Sequence, residues 1–183
     1  MPELFMSTVN HTETSNMTIA DQEQEICVSC GICCGGAMFS HVELHDDDIA
    51  SKYVVLDLSI KDDKFQFNLP CNAFSQTSGC QIYEYRRPDM CHKFYCRLMK
   101  KFKKNKIGKV EALKIVTSAK NRINGLHEAA AKTGLFSEAE LGNIRCIINR
   151  MKEELSTTEA LKKYPDLYLK YSALKFLLDD HFY

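Results

Sequence analysis

Apolar residues recur every three or four positions through the second half of the chain, a spacing typical of amphipathic helices. These stripes lie at residues 110–130, 141–155 and 167–178. Gly134 follows the first stripe, where a left-handed cap would end the helix. Capping-box pairs at Ser137–Glu140 and Ser156–Glu159 begin the next two segments, and Pro165 interrupts the chain before the last stripe. The pattern predicts a C-terminal helical bundle.

In the first half, apolar residues alternate with polar ones, as they do in strands that bury one face. Residues 56–60 and 65–69 alternate in this way on either side of Lys61–Lys64, which predicts a β-hairpin. A shorter alternation at 39–44 predicts one more strand. The run Asp46–Asp48 offers capping oxygens for a helical turn that follows it.

These patterns together predict an α+β fold that is mostly α. Residues 1–24 carry no periodic apolar pattern and are expected to form a flexible tail. A small cysteine-rich domain with a short β-hairpin is expected at 25–98. The helical region at 99–183 is expected to pack on it.

Cysteine is the residue type that indicates chemistry in this chain, which contains nine. Eight of them fall within seventy residues, and four stand in the octet 27–34. Those eight are Cys27, Cys30, Cys33, Cys34, Cys71, Cys80, Cys91 and Cys96, and we expect all of them in loops. Adjacent residues such as Cys33 and Cys34 meet disulfide geometry only with strain, whereas thiolates are good ligands for zinc, copper(I) and iron–sulfur clusters. Cys146 stands apart in a helical stripe and is interpreted as an ordinary core thiol.

The spacing of the eight thiols fits two kinds of metal centre. Three cysteines at two-residue intervals with a distant fourth are a common way to hold a 4Fe–4S cubane. Four thiolates equally make a closed, structural zinc site. Eight thiols suffice for two four-ligand sites or for one multinuclear centre, and Cys33 and Cys34 are expected to point apart into two metal environments. The compact octet favours iron–sulfur narrowly and leaves zinc open.

Charge and hydropathy exclude some classes of function. Lys and Arg total 24, as do Asp and Glu, so no net charge favours nucleic acid as a partner. No apolar run approaches the roughly 20 residues of a membrane span, and the N-terminus does not resemble a signal peptide. A cytoplasmic protein is therefore expected, where thiols stay reduced. Its protein partner or substrate is not indicated.

Several charged residues and histidines near the cysteines carry weaker hypotheses. Arg86, Arg87 and Arg97 are expected to donate to the thiolate sulfurs around a metal. The basic run from Lys93 to Lys109 is interpreted as a solvated connector. His41 and His45, and likewise His92, are more typical of surface histidines than of metal ligands.

The cysteine spacing resembles that of a known family. The matching residues are Cys27-x2-Cys30-Gly31-x-Cys33-Cys34, Pro70-Cys71 and Gly79-Cys80-x-Ile82-Tyr83-x3-Arg87-Pro88-x2-Cys91-x2-Phe94-x-Cys96. They resemble the CxxCxxCC family of zinc- or iron-chelating, YkgJ-type cysteine-cluster proteins over residues 27–96. His92 and the doubled arginine at Arg86 depart from the family pattern.

The resemblance implies metal binding. We expect an iron–sulfur protein with a redox or cluster-dependent modification activity. The alternative is a structural zinc-binding interaction module or a metal carrier without catalysis.

Overall fold

Helices make up most of the chain in the computed structural model, which describes residues 17–45, 50–84, 87–153 and 158–183. The helices are α1 (Ile19–Cys30), α2 (Asp89–Lys93), α3 (Arg97–Lys103), α4 (Lys109–Thr133), α5 (Glu138–Leu141), α6 (Ile144–Glu153), α7 (Thr158–Lys163) and α8 (Pro165–His181). The strands are β1 (His41–Glu43), β2 (Ser59–Lys61), β3 (Lys64–Asn68), β4 (Phe74–Ser75) and β5 (Gly79–Cys80), and a 3-10 helix covers Ala50–Leu56. The prediction of an α+β fold that is mostly α is confirmed.

Helix α1 begins at Ile19, before the predicted tail boundary at residue 24. Thr18 and Asp21 form a reciprocal capping box there, which satisfies free backbone N–H groups of the first turn. The helix runs on to carry Cys27 and Cys30. Cys80 lies on β5 and Cys91 lies on α2, so the prediction that all eight cysteines lie in loops is wrong for these four. Residues 1–16 of the predicted tail lie outside the described residues.

The predicted hairpin is present. Strands β2 and β3 pair antiparallel with Lys61 opposite Lys64, and β1 pairs with the other side of β3 in the order β1-β3-β2. Asp62 and Asp63 connect the two hairpin strands with φ of 50° and 60°, the backbone of a two-residue turn that matches the strand twist. A second pair, β4 with β5, lies in a stretch whose sequence predicts only turns. Asp46–Asp48 lie outside the described residues.

The helical half follows its sequence pattern with one interruption. Helix α4 ends at Gly134 with φ 66°, and Ser137 and Glu140 cap α5 as predicted. The expected helix from 141 to 155 is instead broken after α5, because the Asn143 side chain accepts from the Arg145 backbone N–H at 3.0 Å and begins α6. Ser156, of the second predicted capping box, lies outside the described residues.

Two hydrophobic cores surround the cysteine octet. The larger packs the helices against residues beside the octet, with Ile26, Ile32 and Met38 buried among them. The smaller lies under the three-stranded sheet and includes Phe67 and Leu69. Because the octet contributes to the helical core, the cysteine-rich part and the helices are packed as one body.

Polar contacts from the helical half hold the segment 31–38 in place. The carbonyl of Met38 accepts hydrogen bonds from the Arg145 guanidinium and from the Tyr183 hydroxyl. Asn143 donates to the Leu69 carbonyl at 3.2 Å, and Lys120 donates to the Ser29 carbonyl at 3.3 Å. The position of the octet therefore depends on residues far along the chain.

We predict that Gly31→Ala destabilises the protein more than Gly134→Ala. Both glycines adopt positive φ, 64° and 66°, which costs an alanine about 1 kcal/mol. An added Cβ at Gly31 would also overlap the Phe74 ring, whereas nothing lies within 4 Å at Gly134. Overpacking adds about 1–3 kcal/mol, so urea denaturation of metal-loaded variants is expected to separate them by that amount. Equal losses in the two variants would contradict the Phe74 contact.

Candidate metal centre

The octet places its four cysteines at the end of a helix and in the tight turns that follow. Cys27 and Cys30 lie on the last turn of α1, and Gly31 reverses the chain there. The Gly35 N–H donates to the Gly31 carbonyl at 2.6 Å, and the Gly36 N–H donates to the Cys33 carbonyl at 3.0 Å. These bonds fold the turn back so that Cys33 and Cys34 are presented beside α1.

The four later cysteines reach the octet from separate elements. The Cys71 N–H donates to the Cys34 carbonyl at 2.8 Å, which joins the two segments directly. Cys80 ends β5, whose partner strand carries Phe74. Cys91 lies on α2, and Cys96 is the residue before the first turn of α3.

The structure divides six of the eight thiols between its two cores. Cys30, Cys33 and Cys96 pack in or against the helical core, whereas Cys34, Cys71 and Cys91 pack in or against the core of the sheet. The charge interactions follow this division only in part, because Cys33 also interacts with Cys34 and Cys27 interacts with Cys96 and Cys80. Cys33 interacts with Cys30, Cys96, Cys34 and Cys27, and Cys34 interacts with Cys80, Cys71, Cys27 and Cys91.

We name these groups the helix-side set (Cys27, Cys30, Cys33 and Cys96) and the sheet-side set (Cys34, Cys71, Cys80 and Cys91). Cys27 stands between them, because its sulfur interacts with Cys96 and also with Cys80. It is the one member of the eight that is exposed. As the side chains stand, no three His, Cys, Asp or Glu residues among the described residues are grouped so as to hold one metal ion.

A cavity of about 740 Å³ opens between the octet and the sheet. Six of the eight thiols line it, namely Cys27, Cys33, Cys34, Cys71, Cys80 and Cys91. Aromatic side chains make up much of the remaining wall, and two of them, Phe39 and Phe94, meet edge to face at 5.1 Å. The cavity thus offers soft sulfur ligands in an apolar surrounding, which suits a thiophilic metal.

Burial keeps these thiols protonated in the absence of metal. Desolvation raises the pKa of Cys30 and Cys91 to about 12. It raises the pKa of Cys33 and Cys34 further, and their sulfur neighbours add to the effect. A metal ion that binds thiolates here must therefore displace protons from them.

Arg87 and Lys64 are positively charged residues that line the cavity, and Arg87 is the one that acts on the thiols. Its guanidinium lies 3.6 Å from the centre of the Tyr83 ring and 3.2 Å from Nδ1 of His92. Its charge opposes the burial effect by lowering the pKa of Cys27 and Cys91. Its Nε is buried and has no hydrogen-bond partner among the described residues, so a donor is available where thiolate charge would develop.

Two lysines that the sequence did not single out also act on the sulfurs. Lys120 on α4 lowers the pKa of Cys30, and Lys100 on α3 lowers that of Cys96, in each case against the larger effect of burial. The backbone N–H groups of Leu98 and Met99 act on Cys96 in the same direction. Lys120 follows Cys30 by ninety positions, so no local spacing could have indicated it.

The other sequence-predicted residues are placed as follows. Arg97 donates to the Asp179 carbonyl at 2.8 Å and so binds the C-terminal end of α8 rather than the sulfurs. Arg86 lies outside the described residues. His41 and His45 line the cavity mouth together with Glu43. Cys146 lies on α6, apart from both sets.

Comparison with known proteins gives one match. The model of the CxxCxxCC family, described as a "Putative zinc- or iron-chelating domain", matches residues 26–153. The match extends well beyond residue 96, where the sequence resemblance ended, and includes α4 and α6. No curated protein and no solved structure matches the chain. No helix within the described part of the chain has both the length and the apolar character needed to cross a membrane.

We predict that the metal-free, reduced protein loses stability as the pH rises above about 8.5. Unfolded thiols ionise near that pH, whereas folded Cys30 stays protonated to about pH 12, so the folded state binds more protons there. Each such thiol lowers the free energy of unfolding by about 1.4 kcal/mol per pH unit once its unfolded form is ionised.

Urea denaturation between pH 7 and pH 10 measures this slope. Cys30→Ser is expected to reduce it, whereas Cys146→Ser, as the matched control outside the two sets, is not. A slope that is the same in wild type and Cys30→Ser would contradict the assignment.

Proposed function

Because the chain belongs to the CxxCxxCC family of metal-chelating domains, we propose that its eight clustered cysteines hold iron as two iron–sulfur centres. The helix-side set supplies four thiolates to one centre and the sheet-side set supplies four to the other. The observation that carries this proposal is the division of six of the eight thiols between two cores. Cys80 joins the sheet-side set because its sulfur interacts with Cys34, Cys71 and Cys91, and Cys27 completes the helix-side set. Four cysteines are the usual ligand complement of a 4Fe–4S cluster.

The volume of the thiol-lined cavity favours an iron–sulfur cluster over a single zinc ion. A zinc ion bonded to four sulfurs at about 2.3 Å draws them around a single point. The sheet-side set instead borders a cavity of about 740 Å³, shared with Cys27 and Cys33. Such a volume accommodates several iron atoms with bridging sulfide, while a lone zinc ion would leave much of it unfilled.

Charge around the two sets supports metal–thiolate chemistry of either kind. Four thiolates outweigh the charge of the metal they bind and leave the centre negative. The positive charge of Arg87 offsets that negative charge at the sheet-side set. Lys120 and Lys100 offset it at the helix-side set. The buried and unpartnered Nε of Arg87 gains a partner once a neighbouring sulfur is ionised.

The chemistry that iron–sulfur centres supply is one-electron transfer, tuned by hydrogen bonds and burial around the sulfurs. In this chain, burial of Cys96 and Cys71 keeps water from the innermost sulfurs. The exposed edge at Cys27 lies between the two sets and is the natural point of entry for an electron. We therefore propose a redox or cluster-dependent role in a reducing compartment such as the cytoplasm, in place of the structural zinc module.

The proposal predicts iron and acid-labile sulfide in roughly equal amounts after anaerobic purification. Absorbance near about 400 nm, which bleaches on reduction, should accompany them. Colourless protein that holds zinc without labile sulfide would instead establish the structural zinc module, and a metal-free protein with disulfides would overturn both.

Adjacent cysteines provide a sharper test of the two-set assignment. Cys33→Ser and Cys34→Ser change neighbouring residues but different sets, so each is expected to lose about half of the iron and to retain a different spectrum. Cys146→Ser is the matched control and should retain all of the iron. If both variants leave the same residual spectrum, the eight thiols serve one centre and the division is wrong.

A further inference from the structure

A second cavity lies on the other side of the octet, between residues 30–37 and helix α4. Its volume is about 540 Å³, and Cys30 is the only one of the eight clustered cysteines in its lining. The six cysteines of the first cavity face elsewhere. The second cavity therefore borders the helix-side set at Cys30 and is separate from the first, thiol-lined cavity.

One face of α4 supplies three of the polar side chains of this second cavity, and Gln76 supplies another. Lys120, Asn124 and His127 follow one another at helical spacing and all line it. The Lys120 ammonium donates to the Ser29 carbonyl at 3.3 Å and retains two further protons for a ligand. The side chain of Asn124 makes no hydrogen bond within the described residues, so its amide remains available at the cavity.

His127 presents a single remaining nitrogen to a ligand. Its Nε2 lies 2.7 Å from the Leu141 carbonyl, and a carbonyl only accepts, so Nε2 carries the proton and Nδ1 remains. No Asp or Glu lines the cavity. The Lys120 ammonium gives the polar face a full positive charge, and no carboxylate in the lining opposes it.

The remaining wall is mostly apolar. Ile123 of α4 supplies apolar surface together with Phe74, Leu141 and Ile144. Gly31 and Gly35 border the cavity at the octet, where the Phe74 ring occupies the space beside Gly31. Small-molecule sites combine such an apolar surface with a few convergent polar groups at volumes of about 300–1,000 Å³.

We propose that this cavity binds a small organic carboxylate with an apolar body. The carboxylate binds the Lys120 ammonium and the Asn124 amide, and the apolar body packs on Phe74 and Ile123. A single cation suits a monoanion better than a phosphate group, which draws several positively charged donors. The proposal that a carboxylate binds depends only on this cavity. The expectation that the bound carboxylate lies near an iron–sulfur centre rests on the proposed function.

The experiment uses the metal-loaded protein and three probes of one shape. These are 4-phenylbutyrate, its neutral amide 4-phenylbutyramide, and the cationic 4-phenylbutylamine, each titrated by calorimetry. We expect the carboxylate to bind most tightly and the amine least. Equal affinity for the carboxylate and the amide would overturn the role of Lys120 as an anion anchor.

Substitutions at Lys120 and Asn124 test whether 4-phenylbutyrate binds in this cavity. Lys120→Met is expected to weaken 4-phenylbutyrate at least about tenfold, the loss of one charge-assisted hydrogen bond, while Lys120→Arg retains most of the affinity. Lys132→Met removes an exposed lysine from the same helix and is the matched control. Asn124 is exposed, so Asn124→Leu is expected to fold normally and to weaken binding even if Lys120→Met is unstable. Unchanged affinity in Asn124→Leu and Lys120→Met would overturn the proposal.

Iron and labile sulfide are measured on the same samples to separate this inference from the proposed function. Iron–sulfur protein that binds none of the probes contradicts the cavity alone. Zinc-loaded protein that binds 4-phenylbutyrate through Lys120 contradicts the iron–sulfur assignment alone and supports the carboxylate site.

Discussion

The position of residues 31–38 decides how every clustered sulfur meets its neighbours. This segment lies between the helical core and the core of the sheet, and both cores hold it through its backbone. The Met38 carbonyl binds Arg145 and Tyr183 from the helices, and the Cys34 carbonyl binds the Cys71 N–H from the sheet side. With the backbone held at both ends, Cys33 and Cys34 are directed to different sets of thiols. Without these backbone contacts the side chains of Cys33 and Cys34 would have no fixed directions, and the two sets of thiols would not be separated.

Burial and neighbouring positive charges have opposite effects on the pKa of these thiols. The balance between them couples metal binding to folding. Desolvation favours the protonated thiol at Cys30 and Cys91, while Lys120 and Arg87 favour the thiolate. Burial is the larger effect, so the positive charges alone do not ionise the site. A bound metal supplies the remaining positive charge and exchanges it for protons. The stability of this half of the protein is then inseparable from its metal, as in other small metal-dependent domains.

Local features of the fold were predictable from the sequence, and features set by long-range contact were not. The hairpin about Asp62 and Asp63 and the end of α4 at Gly134 depend on the conformations of a few adjacent residues. The direction of the Arg97 side chain depends on long-range contact instead. Arg97 follows Cys96 directly in sequence, yet its guanidinium binds the C-terminal end of α8. Spacing likewise predicted eight candidate ligands but could not divide them, because the division depends on which core the cysteines pack against. Lys120 was missed for the same reason, since only the packing of α4 on α1 brings it near Cys30.

The extent of the family match now has a physical explanation. A motif that ends at Cys96 contains every clustered cysteine, yet the match continues to residue 153. The additional residues include Lys120, which acts on Cys30, and Asn143 and Arg145, which hold the backbone beside the octet. They also supply Val116 and Ile147, which are buried in the core that packs against the helix-side set. Helices α4 and α6 therefore form a wall of the proposed metal centre, and a fragment cut after the last clustered cysteine would leave the helix-side set open to water.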